Sequence, residues 1–197
     1  MLAAAILPTG LEAQDSTGAL ADDILPAGFG TLHQEDIALR LRGENIQIKV
    51  LPLDERVIRL LSPDSYRALR GLKQLKAREI DDAKTSYGVH DPSLFFVTFF
   101  ALRKRARFTP EDLTITSRGR FFRPIAVIAL TPRWGEQQLD QRETAVAVYL
   151  YDEDIEVLEP FVVSYAGGST ASWERNLRKL DEERAAVIAR AAAAGKS

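Results

Sequence analysis

Residues 36–51 read DIALRLRGENIQIKVL, with the alternation of a half-buried β-hairpin. Ile37, Leu39 and Leu41 alternate with Ala38, Arg40 and Arg42. Beyond Gly43-Glu44, Ile46, Ile48 and Val50 alternate with Gln47 and Lys49. A two-residue loop at Gly43-Glu44 pairs Leu41 with Ile46, Leu39 with Ile48 and Ile37 with Val50. The apolar side chains then share one face, and Arg40, Arg42, Asn45, Gln47 and Lys49 share the other. Glycine at the first loop position fits the positive φ of a type II′ turn. A slip of one residue would send every apolar side chain to the wrong face, so this register is expected to be well specified.

Downstream, residues 93–102 read SLFFVTFFAL and are apolar on both faces. Leu94, Phe96, Thr98 and Phe100 point one way; Phe95, Val97, Phe99 and Ala101 point the other. Such a strand belongs at the centre of a sheet, covered on both sides. Residues 121–130, FFRPIAVIAL, share the property, with Pro124 placed at a bulge or unpaired position because it has no donor. TAVAVYLY at 144–151, FVVSY at 161–165 and LTIT at 113–116 supply further strands. The expectation is an α+β protein: a mostly antiparallel β-sandwich of about seven strands, immunoglobulin-like in architecture. The Cys…Trp…Cys pattern is missing, and the architecture by itself confers no function.

Two helical regions interrupt or follow the strands. Asp54 caps a short turn with Val57, Ile58 and Leu61 inward. Ser62-Pro63 then gives an N-cap with proline at the first helical position. Tyr66, Leu69, Leu72, Leu75 or Lys76, Ile80 and Ala83 recur at helical spacing until Tyr87-Gly88. A second helix is expected from Thr170 to Ala194, after a flexible hinge at Gly167-Gly168, with Ser169 or Thr170 as its cap. Its seam is Trp173, Leu177, Leu180, Arg184, Val187 and Ala191. Docking on the chain's own sheet is the first reading of that seam, and contact with a partner the second.

Residues 1–7, MLAAAIL, followed by Pro8-Thr9-Gly10 and Ala13, resemble the back half of a secretory signal peptide cut after Ala13. No Lys or Arg precedes Arg40, and Leu11 is large for its place before the cut. An earlier start codon would supply the missing charges. Export makes the expected location periplasmic or secreted. The organisation is then a truncated signal peptide at 1–13 and a linker at 14–31. The sandwich spans 32–166 with a helical insertion at 54–86, and the C-terminal helix occupies 167–197.

The chain has 197 residues, 46% of them hydrophobic and 27% charged, which excludes wholesale disorder, a collagen-like repeat and a membrane bundle. The net charge of −2 gives no basic excess for general nucleic-acid affinity. Cysteine is absent, which excludes disulfides, thiolate nucleophiles and Cys-ligated zinc. No cofactor motif is present.

Candidate sites are few. His90-Asp91 could pair a base with a carboxylate, although no G-x-S-x-G or S-x-x-K motif accompanies it and a turn leading into the next strand explains it as well. The acidic stretch 152–159 is the best cation candidate, with Asp152, Asp154 and Glu156 as weak calcium ligands. A solvated turn that tucks Ile155, Val157 and Leu158 inward is its plainer reading. Residues 103–133 carry a balance of +6 and residues 136–159 a balance of −7. Arg103, Lys104, Arg105, Arg118 and Arg120 could meet an anionic surface, or pair with the acidic stretch inside the domain. Phe121 and Phe122 face opposite ways, so they form no stacking platform for bases. Trp173, Leu177 and Leu180 are the helix candidates for partner contact.

The leading expectation is a non-enzymatic binding or scaffolding module of a bacterial-type cell envelope, engaging a protein partner through strand edges or the final helix. The alternatives are a hydrolase-like enzyme using His90, Asp91 and the acidic loop, or a domain that binds anionic surfaces through its arginines. No nucleic-acid partner and no membrane span are expected.

Overall fold

A computed structural model of the chain describes residues 25–152 and 155–195. The expected leader at 1–13 and the first part of the expected linker lie outside the described residues. In chain order the elements are α1 (Gln34–Ile37), β1 (Leu39–Arg42), β2 (Ile46–Pro52), α2 (Glu55–Ile58), α3 (Pro63–Leu75) and α4 (Ala77–Tyr87). They continue with β3 (Ser93–Ala101), β4 (Ala106–Arg107), β5 (Thr114–Ser117), β6 (Arg120–Phe122), β7 (Ala126–Ala129) and β8 (Gln138–Leu139). The last are β9 (Thr144–Tyr151), β10 (Phe161–Tyr165), β11 (Gly168–Thr170) and α5 (Trp173–Ala194). The fold is α+β with a sheet-rich core. A five-stranded sheet has the order β1-β2-β3-β9-β7, a four-stranded sheet the order β11-β10-β5-β6, and β4 pairs with β8. Neighbouring strands in all three are antiparallel.

β3 is the central strand of the larger sheet. Phe95, Val97, Phe99 and Ala101 are fully buried, and Phe96 and Phe100 on the other face are half-buried. The inner face packs through aromatic rings and meets the four-stranded sheet at Phe161 and Tyr165. Phe95 sits edge-on to Tyr151 at 5.4 Å and to Phe161 at 5.8 Å. Phe99 stacks on Phe108 at 4.7 Å and meets Trp134 and Tyr165, each at 5.6 Å. Such pairs add about 0.5–1.5 kcal/mol each beyond the area they bury. Because Phe95 meets Phe161 and Phe99 meets Tyr165, β3 and β10 run the same way across the core. The outer face is covered less fully, with α4 lying against β7.

Two tyrosines on β9 tie the sheets together. Tyr149 donates its hydroxyl proton to the Pro110 carbonyl at 3.0 Å, and Tyr151 to the Leu113 carbonyl at 2.9 Å. Burial raises both phenol pKa values far above the ordinary 10.0. An unfolded phenol ionises near 10 while these resist, so their contribution to stability is complete below that pH and is lost as pH rises above it. In an alkaline absorbance titration, Tyr149 and Tyr151 should remain silent until the far-UV dichroism collapses. Reversible ionisation of all five tyrosines in a protein with native dichroism would contradict this placement.

Several expectations need correction. The hairpin of β1 and β2 pairs Leu39 with Val50 and Leu41 with Ile48, two residues away from the expected register. Gly43 donates to Ile46 at 2.9 Å, which makes Glu44-Asn45 the loop, and none of Gly43, Glu44 and Asn45 has positive φ. The turn is therefore not type II′. A shift of two preserves the period of 2, so every apolar side chain keeps its face. Ile37 ends α1 rather than pairing with Val50, yet it is fully buried.

The run 121–130 is two strands in two sheets. β6 is an edge of the four-stranded sheet and β7 an edge of the five-stranded one, joined through Arg123-Pro124-Ile125. Proline cannot donate to a ladder, and the chain changes sheets there. β7 is thus neither central nor covered on both faces.

The predicted insertion helix ends at Tyr87 with Gly88 in the left-handed conformation at φ 67°, as its sequence suggests. It breaks, however, at Lys76 (φ −100°, ψ 9°) into α3 and α4. Leu75, expected inward, stands at that corner and is 76% exposed.

The expected hinge at Gly167-Gly168 is a hairpin turn. Ala166 and Gly167 both have positive φ, and β11 folds back on β10 with Tyr165 opposite Gly168. The last helix consequently starts at Trp173 rather than Thr170. It docks on its own chain: Trp173, Leu180 and Val187 are buried, and Trp173 Nε1 donates to the Val157 carbonyl at 2.8 Å. Asn176 donates to the Ile37 carbonyl at 2.7 Å, and Glu183 accepts from the Thr31 backbone at 2.7 Å. Residues 25–31 of the expected linker are accordingly held against the domain. Arg59 donates to the Leu25 carbonyl at 2.8 Å, and Phe29 packs against the core.

Candidate functional site

The four-stranded sheet turns one face inward and one outward, and its outward face carries the chemistry. Phe122, Ile115 and Val163 point into the core with exposures of 5% or less. The alternate residues lie on the opposite face, where Thr114 is itself covered at 8% exposure. Phe121, Thr116 and Val162 form one cross-strand row, and Thr114, Ser164 and Ser169 the next. Arg123 follows Phe122 at the end of the second row, with its guanidinium carbon 5.9 Å from the Phe121 ring centroid.

Beside the Thr114–Ser164 row lies an open cleft of about 290 Å³ lined by Glu111, Asp112, Thr114, Arg123, Ser164 and Tyr165, with Ala166-Gly167 at its rim. Glu111 and Asp112 occupy a 3-10 turn, Pro110–Asp112. That turn is held from behind, since the Pro110 carbonyl accepts from Tyr149 and the Thr109 N–H donates to the Tyr165 hydroxyl at 2.9 Å. Burial raises the Tyr165 phenol pKa. The Thr109 N–H opposes the rise, and Asp112 and Glu111 add to it. Tyr165 therefore keeps a proton to donate. Among the described residues neither Glu111 nor Asp112 makes an ion pair, and Arg123 has only the Phe121 ring. The lining combines carboxylate acceptors, a guanidinium fork of donors and hydroxyls.

None of Glu111, Asp112, Ser164 and Tyr165 stands out in the sequence, because they converge only when β5 and β10 pair. One signal was available. The alternation of Thr114 and Thr116 with Ile115 marks a polar outer face, and Ser164 opposite Thr114 continues it.

The arginines named from the sequence fall elsewhere. Arg103, Lys104 and Arg105 occupy the exposed loop after β3, where Arg103 reaches Glu44 at 3.1 Å. Arg118 lies in the turn after β5 and grips Glu159 with two hydrogen bonds, of 2.7 and 2.6 Å. Hydrogen bonding to Arg118 holds the Glu159 carboxyl below its ordinary pKa and raises that of Arg118. The Arg120 guanidinium carbon sits 5.1 Å from the ring centroid of Phe122. The two groups do not share a patch. Arg103 follows the Phe99 end of β3 and Arg118 lies beyond the Phe95 end, about 20 Å apart at the rise of a strand. Neutralisation between the basic and acidic stretches is seen at Arg118 and Glu159, and both groups are exposed, so the pair contributes little to stability.

The acidic stretch is also partly spoken for. Glu156 pairs with Arg56 at 3.1 Å and accepts from the Leu158 N–H at 2.9 Å, while Ile155 and Val157 are buried. Asp152 is exposed, and Asp154 lies outside the described residues. Among the described residues no three His, Asp or Glu side chains come together as a metal site. His90 and Asp91 lie in an exposed turn leading into β3. Of the helix candidates, Trp173 and Leu180 are 0% and 1% exposed, so they belong to this chain's core and offer no surface to a partner; Leu177 packs half-buried beside them.

No family model matches the chain, and no curated protein or solved structure matches it. Among the described residues no helix is long and apolar enough to cross a membrane.

Proposed function

We propose that this chain is a non-enzymatic binding or scaffolding module of the cell envelope, periplasmic or secreted, that engages a protein partner through the edge strands β6 and β7. One observation carries the reading: two consecutive strands are each an edge of their sheet, β6 bearing the exposed Phe121 and β7 a run of half-buried apolar residues. Phe121 is 59% exposed with the Arg123 guanidinium over its ring, and Ile125, Val127, Ile128 and Leu130 are half-buried along β7 and its flanks. No charged residue lies between Pro124 and Leu130. Edge strands are ordinarily guarded by charges or proline, because their free amides and carbonyls pair with any incoming strand. An edge of this composition suits strand addition, with Phe and Arg of the kind that anchors interfaces. The leader-like residues 1–13 support the envelope location.

A photoreactive phenylalanine at position 121, expressed in the native host, tests this directly. The expected result is a discrete cross-linked protein band that vanishes when Ala129→Lys charges the β7 edge. No band, or a band indifferent to that substitution, refutes the reading. Fractionation is the companion test of location. A periplasmic or extracellular species whose N-terminus is Gln14 is expected, and a product confined to the cytoplasm opposes export.

A further inference from the structure

The cleft beside Arg123 has opposite charges that do not close on each other. In two other places acid and base do close, at Arg118–Glu159 and Arg56–Glu156. Glu111, Asp112 and Arg123 line one cavity, yet no carboxylate reaches the guanidinium within ion-pair distance. We propose that this cleft captures the C-terminal end of a peptide whose last residue is lysine. The side-chain ammonium lies against Glu111 and Asp112, and the terminal carboxylate against Arg123 and the hydroxyls of Thr114 and Ser164. The inference rests on the binding-module reading and names the chemistry of the partner segment.

Size decides between this and other dipolar ligands. At about 290 Å³ the cleft is at the lower limit of ligand pockets. It accommodates both poles when they belong to one residue, and a terminal lysine carries an ammonium and a carboxylate together. Geometry favours the same assignment. The Arg123 guanidinium carbon is 5.9 Å from the Phe121 ring centroid, and a ring contact uses none of the N–H donors that a carboxylate needs. The acidic turn is fixed by Tyr149 and Tyr165 before any ligand arrives, so little ordering cost remains to be met on binding. Capture of a C-terminal carboxylate is an established mode of peptide recognition. Free lysine carries the same two groups and is the other source of this chemistry.

The test is an amide NMR titration of the full chain with N-acetyl-Gly-Gly-Lys, the same peptide amidated at its C-terminus, N-acetyl-Gly-Gly-norleucine and free lysine. The first probe should shift the amides of Asp112, Thr114, Ser164 and Gly167 saturably, with a Kd on the order of a millimolar. Amidation, norleucine, Arg123→Gln and the double variant Glu111→Gln/Asp112→Asn should each weaken it about tenfold, the loss expected for one charge-assisted contact. If free lysine matches the acetylated peptide, the same site serves the free amino acid; if it binds more weakly, the peptide end is the ligand. Unshifted cleft amides, or equal binding of the amidated peptide, overturn the inference. Such a failure leaves the cross-link from position 121 untouched, whereas loss of that cross-link with an intact titration refutes the edge and retains the cleft.

Discussion

Trp173→Ala should lower the stability of the protein by about 4 kcal/mol, the range seen when a fully buried aromatic is truncated. Trp173 has no exposed surface, its ring lies 5.0 Å from that of Phe161, and its Nε1 is bonded to the Val157 carbonyl. Removing it opens a cavity between α5 and β10 and strands a buried carbonyl. For a chain of this length the melting temperature should fall by about 8–16 °C. Trp173→Phe keeps most of the apolar volume and loses only the hydrogen bond, so about 1–2 kcal/mol is expected. Thermal unfolding of both variants checks the pair. Equal melting of Trp173→Ala and the unaltered chain would mean that α5 is not docked in solution.

The second large effect is expected at a glycine that the sequence places in a linker. A Cβ on Gly30 would lie 2.3 Å from the Leu60 carbonyl carbon and 2.4 Å from the Leu60 and Leu61 oxygens. All three are backbone atoms, so no side chain can rotate away. Leu32 donates to the Leu60 carbonyl at 3.2 Å and Ser62 to the Leu32 carbonyl at 2.8 Å, and both bonds depend on that approach. Gly30→Ala should therefore cost about 2–3 kcal/mol by overpacking. It should also free residues 25–31, which limited proteolysis would detect as a new early cut. Gly28→Ala meets no atom but forces a left-handed conformation at φ 92°, so it should cost less and produce no such cut. Identical behaviour of the two variants would show that the segment does not lie against Leu60.

What could be read in the chain was what period alone determines. SLFFVTFFAL announced a central strand because no other placement buries alternate phenylalanines on both sides. Ser62-Pro63 and Gly88 marked the ends of the helical insertion through the geometry of caps. The hairpin register was missed by two residues because period fixes the face and not the partner. Glu44-Asn45 closes the turn without the positive φ that glycine was expected to supply. The sheet change at Pro124 was hidden for a related reason. An apolar run reads alike in one strand or two, and only the missing proline donor hinted at the break. The cleft was the least legible feature, since Glu111, Arg123 and the adjacent pair Ser164-Tyr165 come from three places brought together by strand pairing.

The central claim is a rigid frame, built on β3, that keeps one pair of strand edges open for a partner. Amide hydrogen exchange tests it most directly. The amides of Phe96 to Phe100 should exchange only through global unfolding, while the β7 amides that point away from β9 should exchange orders of magnitude faster. Uniform protection along Ala126–Ala129, at the level of β3, would mean that the edge is covered and would contradict the account.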